Sequence, residues 1–117
     1  MSQDSINQPY AIPVATSATI PGREIAGYVG PAFGVIARSM GFSRGLTGAL
    51  RSLKRGEVPE FTATVEEARH IAVQRLVEHA MGLGANAVVS MRFDSTDMGE
   101  GGLAEIVAYG TAVVLES

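Results

Sequence analysis

Residues 84–96, GANAVVSMRFDST, and residues 103–115, LAEIVAYGTAVVL, decide the fold. Each is a short run rich in alanine and valine, and the residues between them, DMGEGG (97–102), are turn formers. Two strands joined by such a turn pair antiparallel as a hairpin. Alternation then sorts the side chains into faces. In the first strand, Ala87, Val89, Met91 and Phe93 fall on one side, and Val88, Ser90, Arg92 and Asp94 on the other. In the second, Ala104, Ile106, Ala108, Gly110, Ala112 and Val114 form a smooth face, and Glu105, Val107, Tyr109, Thr111 and Val113 a mixed one. The smooth face suits close packing of a helix. A turn centred near Met98 or Gly99 sets Arg92 opposite Glu105, as a cross-strand ion pair.

The helix for that face precedes the hairpin. Val65, Ala68, Ala72, Leu76, Ala80 and Leu83 recur at steps of three and four, which predicts an amphipathic helix over 64–83. Thr64 and Glu67 have the spacing of a capping box, and Gly82 and Gly84 supply a backbone that leaves the helix in a left-handed turn. Further upstream, FGVIARSMGFSRGLTGALRSLK (33–54) also has helical spacing, weakened by Gly34, Gly41, Gly45 and Gly48, and reads as a broken helix. VATSATIPGREIAGYVG (14–30) reads as two strands joined at Pro21-Gly22. Residues 1–13 are polar, carry Pro9 and Pro13, and read as a flexible tail before a single domain over 14–117.

Composition narrows the function classes. A chain of 117 residues is one domain that buries roughly two thirds of its unfolded surface. It has 46% hydrophobic and 18% charged residues, fewer charges than the roughly 25% usual in soluble proteins, which leaves apolar surface for a partner or a second copy. With no cysteine, thiolate metal sites, disulfides and cysteine nucleophiles are excluded. A net charge of −3 gives no general attraction to nucleic acid or to an acidic membrane. The N-terminus lacks a basic and an apolar region of signal type, and no run approaches the roughly 20 apolar residues that span a bilayer. A cytoplasmic location is the expectation.

Three blocks in order, GEVPEFT (56–62), EEARHIAVQRLVEHAMGLGANAVVSMRFDST (66–96) and AEIVAYGTAVV (104–114), resemble the YbjQ-type family, whose members are labelled heavy-metal-binding domains. The resemblance implies an α+β domain with an antiparallel sheet of about four strands, in the order β-β-α-α-β-β, and helices on one face, similar to dodecin. It also implies a homo-oligomer, a ring of five subunits.

The residues offer three candidate sites. Glu66 and His70, at i and i+4, form a two-ligand edge for a divalent metal that a neighbouring subunit completes. His70 and His79 are nine residues apart, which at about 100° per residue puts them on opposite helix faces. No cofactor is predicted beyond such a metal. Arg92, Glu105 and Tyr109 on the mixed face shape a polar pocket at an interface. Arg38, Arg44, Arg51, Lys54 and Arg55 form a basic segment followed at once by Glu57, Glu60, Glu66 and Glu67. That segment holds an anion or pairs with those carboxylates. Phe42 is the lone aromatic within it, so single-stranded nucleic acid is not an expected partner. No serine sits in a nucleophile elbow, and the expected role is a binding or scaffold module without catalysis. Val88, Val107 and Val113 on the mixed face are the expected self-interface.

Overall fold

The computed structural model describes residues 9–39, 59–97 and 103–117. Strand β1 (Ile25–Ser39), helix α1 (Pro59–Gly82), strand β2 (Ala87–Asp97) and strand β3 (Leu103–Leu115) follow in chain order. They form a three-stranded antiparallel sheet in the order β1-β3-β2, with α1 across one face. The fold is α+β as expected, with one strand and one helix fewer among the described residues.

Two expected elements change. Residues 33–39, read as the start of a broken helix, are the second half of β1; the remainder of that expected helix, 40–54, lies outside the described residues. The spacing in this stretch satisfies a strand equally well. Ala32, Gly34 and Ile36 are buried, while Phe33, Val35 and Ala37 are exposed, so a period of two decides it once β3 supplies a partner. The Pro21-Gly22 turn forms as expected, with Arg23 N donating to Ile20 O at 3.0 Å and Gly22 at φ 79°. Upstream of it, however, residues 14–20 do not make a second hairpin strand.

Residues 9–17 instead form a strap along the outer edge of β2. Val14 bridges Val88 in parallel. Val88 N donates to Pro13 O, and Ala15 N donates to Val88 O, each at 2.9 Å. Ile12 is buried in the main core and Tyr10 packs against it, so the packed chain begins inside the segment expected as a tail. An apolar side chain at position 12 finds the gap between α1 and β2, and the backbone pairs an otherwise open edge.

Helix α1 starts at Pro59, one turn before the expected capping box. Proline suits the first helical position because its missing N–H has no partner there in any case. The stripe of Ala68, Ala72, Leu76 and Ala80 is buried, with Val73 and Val77 beside it, whereas Leu83 is exposed. The helix ends in a Schellman motif: Ala85 N donates to Ala80 O and Gly84 N to Met81 O, each at 3.0 Å, with Gly84 at φ 95°. Gly84→Ala is therefore expected to cost about 1–2 kcal/mol for a left-handed alanine. Gly82 has no positive φ and nothing near an added Cβ, so Gly82→Ala gains about 0.5–1 kcal/mol of helix propensity. Urea unfolding midpoints of the two variants should move in opposite directions.

Two clusters make the interior. One lies between α1 and the sheet and includes Ala32, Ile36, Leu76, Val88, Ala108 and Ala112. The smooth face of β3 thus meets the helix as expected. The other lies on the far face, where Ile20, Ala15 and Ile25 fold over Ala87, Val89, Val113 and Leu115. Residues 15–25 cover one end of the far face. The other end, carrying Val35, Val107 and Tyr109, is left open, with Phe33 at its margin, where its ring stacks on His79 of α1.

Candidate functional site

A β-bulge in β2 shapes a part of the sheet where several chemically distinct side chains converge with the helix. Ser90 has φ 55°, and the β2–β3 register shifts between Val89 and Arg92. Before the bulge Val88 faces the helix; after it, Met91 joins the same core and Phe93 meets Arg69 of α1. Strict alternation puts Met91 and Phe93 together with Val89, on the side opposite Val88 and Arg92; the extra residue leaves Met91 and Phe93 on the helix side but sets Val88 there too and Val89 on the far face.

The result is a cleft of about 260 Å³ between α1, β2 and the strap. Helical spacing of three and four brings Glu66, Arg69, His70 and Val73 to its wall, β2 adds Met91 and Phe93, and the strap adds Tyr10. The Tyr10 hydroxyl and His70 Nδ1 are 2.8 Å apart, with ring centroids 6.2 Å apart and tilted by 36°. Partial burial holds the Tyr10 phenol above its usual 10.0, so at neutral pH it keeps its proton. The Arg69 guanidinium carbon lies 5.4 Å from the centre of the Phe93 ring, within range of a cation–π contact.

Glu66 and His70 therefore share one wall, as their spacing implies. His79 lies on the other side of α1, also as expected, where its Nδ1 accepts from Phe33 N at 3.0 Å. Arg75, one turn earlier, donates to Val35 O at 2.7 Å. These two side chains satisfy part of the open edge of β1. Among the described residues, no three histidine, aspartate or glutamate side chains group closely enough to hold a metal ion by themselves.

The mixed face departs from the expected pairing. Arg92 is opposite Tyr109, and Glu105 is opposite Thr96. The register of β2 on β3 is centred about two residues further along than expected, which moves the partner of Arg92 by four positions, or roughly 13 Å along β3. Arg92 and Tyr109 are thus neighbours while Glu105 is not. Instead of an ion pair, Arg92 Nη1 donates to Thr16 O and Met91 O, each at 2.8 Å, and clamps the strap to the bulge. Arg92→Ala should release this clamp. Amide protection at Ala15 and Ser90 is expected to fall at least tenfold by hydrogen exchange, the effect of about 1.5 kcal/mol for a bond to a charged donor, while α1 stays protected.

Val88 and Val113, expected at an interface, are fully buried inside the subunit. Val107 alone of the three remains partly open, beside Val35. The side chain of Arg38 and the rest of the basic segment, 44–55, lie outside the described residues.

Residues 12–116 match the YbjQ family, described as "Putative heavy-metal-binding". The chain belongs to that family. The match begins at Ile12, the first buried residue of the core. Similar proteins include a UPF0145 protein of Pyrococcus furiosus, 49% identical over 88% of this chain and 90% of its own. Another, of Bradyrhizobium sp., is 46% identical over 88% and 92%, and one of Thermoplasma volcanium is 40% identical over 95% and 90%. In structure, this YbjQ-family chain resembles a protein of unknown function of the DUF74 family from Pediococcus pentosaceus, with a TM-score of 0.56 and 14% identity over 90% and 98% of the two chains. That likeness shows a shared fold. No helix among the described residues is long and apolar enough to cross a membrane.

Proposed function

We propose that this protein is a cytoplasmic, self-assembling binding or scaffold module without catalytic chemistry, built as a ring of five similar to dodecin in its layering. The observation that carries this reading is the open end of the far sheet face. There Phe33 is 50%, Val35 42% and Tyr109 40% exposed, and they adjoin across β1 and β3 as the pairs Phe33–Tyr109 and Val35–Val107. A contiguous apolar patch of this kind on a small domain marks an interaction surface. The subunit is also flat and extended, 53 × 30 × 18 Å with a radius of gyration of 17.1 Å, against roughly 13 Å for a compact domain of this length. A second copy seated on the face supplies the missing layer. Native mass spectrometry on untagged protein tests this: a mass of five subunits supports the reading, and a monomer at micromolar concentration rejects it.

A second reading has its own support. Glu66 and His70 share the wall of a cleft, and His70 is oriented by Tyr10, which is the arrangement a metal ligand needs. The family description points to heavy metals. In this reading the protein binds a metal ion, and the open face organises the subunits around it.

A further inference from the structure

We infer that the cleft between α1, β2 and the strap takes a soft monovalent cation, Cu(I) or Ag(I), on the Met91 thioether and the free Nε2 of His70. The inference rests on the metal-binding reading and narrows it to one class of ion.

The donors come first. The bulge at Ser90 turns Met91 into the cleft that His70 also lines. A thioether is a soft ligand, suited to Cu(I) and poorly suited to hard cations, while imidazole serves both. With Nδ1–H donating to the Tyr10 oxygen, the lone pair of Nε2 is left for an ion. The same bond fixes the ring, as a second-shell partner does in metal sites.

The charges come next. The charged groups at the cleft are Glu66 and Arg69, which offset each other. A dication here would meet one carboxylate, one guanidinium and walls of Val73, Phe93 and Tyr10. Dications of this kind are held by several oxygen or anionic ligands, and among the described residues no third acidic or imidazole group is in reach. A monovalent d¹⁰ ion bound by neutral sulfur and nitrogen needs far less compensation than a dication, and Glu66 is the carboxylate that lines the cleft. Arg69 rests over the Phe93 ring at the same wall.

The test uses the full chain in anaerobic, chloride-free buffer. Cu(I) is titrated in competition with a chromophoric chelator, with Ag(I) as a redox-inert surrogate and Zn(II) in parallel. One Ag(I) or Cu(I) per chain is expected, with Zn(II) at least roughly a hundredfold weaker. Met91→Leu, which conserves volume, should weaken binding more than about tenfold, and Tyr10→Phe by about tenfold through the loss of ring orientation. Met81→Leu, at an exposed position outside the cleft, should change nothing. A readout on the unmodified chain guards against a misfolded variant: with ¹³C-labelled methionine methyls, Ag(I) should shift Met91 and leave Met81 in place. Stoichiometric Zn(II) binding that survives Met91→Leu would overturn the inference and leave the metal reading standing. Binding of no ion would overturn both, and an Ag(I) shift at a methionine other than Met91 would overturn the inference alone.

Discussion

Gly34→Ala is expected to destabilise the fold by about 3 kcal/mol, at the upper end of the range for overpacked cores. At position 34, β1 passes directly beneath α1. A Cβ there would overlap the carbonyl oxygen of Ala72 and the amide nitrogen of Leu76. Both are backbone atoms inside a hydrogen-bonded helix, so no rotamer change relieves the overlap and the helix must lift. Lifting it thins the contacts of Ala32, Ala68, Ala72 and Ala108, which are small and buried and cannot fill the gap. The midpoint of thermal unfolding should fall by roughly 12 °C or more, measured at fixed protein concentration. Gly27→Ala is the control, since nothing lies near an added Cβ there and its backbone is not left-handed; its effect should stay within about 0.5 kcal/mol. A loss below about 1 kcal/mol at Gly34 would mean the helix does not rest on the strand backbone.

The layer that makes Gly34 critical was partly legible. The stripe from Ala68 to Ala80 and the small face of β3 are local, periodic patterns, and each declares its own buried side. The left-handed exit at Gly84 is equally local. What failed to show depended on contacts distant in sequence. Residues 33–39 fit either period, and only pairing with β3 makes them strand. Tyr10 and Ile12 look like tail because nothing nearby holds them; α1 and β2 do. The candidate site divides in the same way. Glu66 and His70 are visible together from helical spacing, and Met91 and Phe93 from alternation on the side opposite Arg92, whereas Val88 and Val89 each lie on the other side from the one alternation gives. A serine at φ 55° has no reliable sequence signature, and one such residue inverts every side chain beyond it. The displacement of Glu105 from Arg92 is of register, since a small shift in the centre of pairing doubles across two antiparallel strands.

Val107→Asp is expected to dissociate the proposed assembly while leaving the subunit folded. Val107 sits on the far face, opposite Val35 in β1 and Asp94 in β2, away from the helix and from the cleft. Within one subunit the site is only partly covered, so a carboxylate there keeps its water and costs the sheet no more than about 1 kcal/mol. In an assembled ring the same carboxylate would be buried against apolar side chains of a second copy. An uncompensated buried charge costs roughly 3–5 kcal/mol, which weakens each contact by at least about a hundredfold. The like charge of Asp94 across the strand complicates the aspartate variant, and Val107→Lys removes that complication by placing a cation opposite Asp94. Both variants should run as monomers by light scattering at concentrations where the parent is assembled, with helical content by circular dichroism unchanged. The two charges share only one property relevant to the outcome, their need for water. Dissociation by both therefore locates the interface on this face, and full assembly by both would place it elsewhere. Dissociation by the aspartate alone would point to repulsion from Asp94 within the sheet.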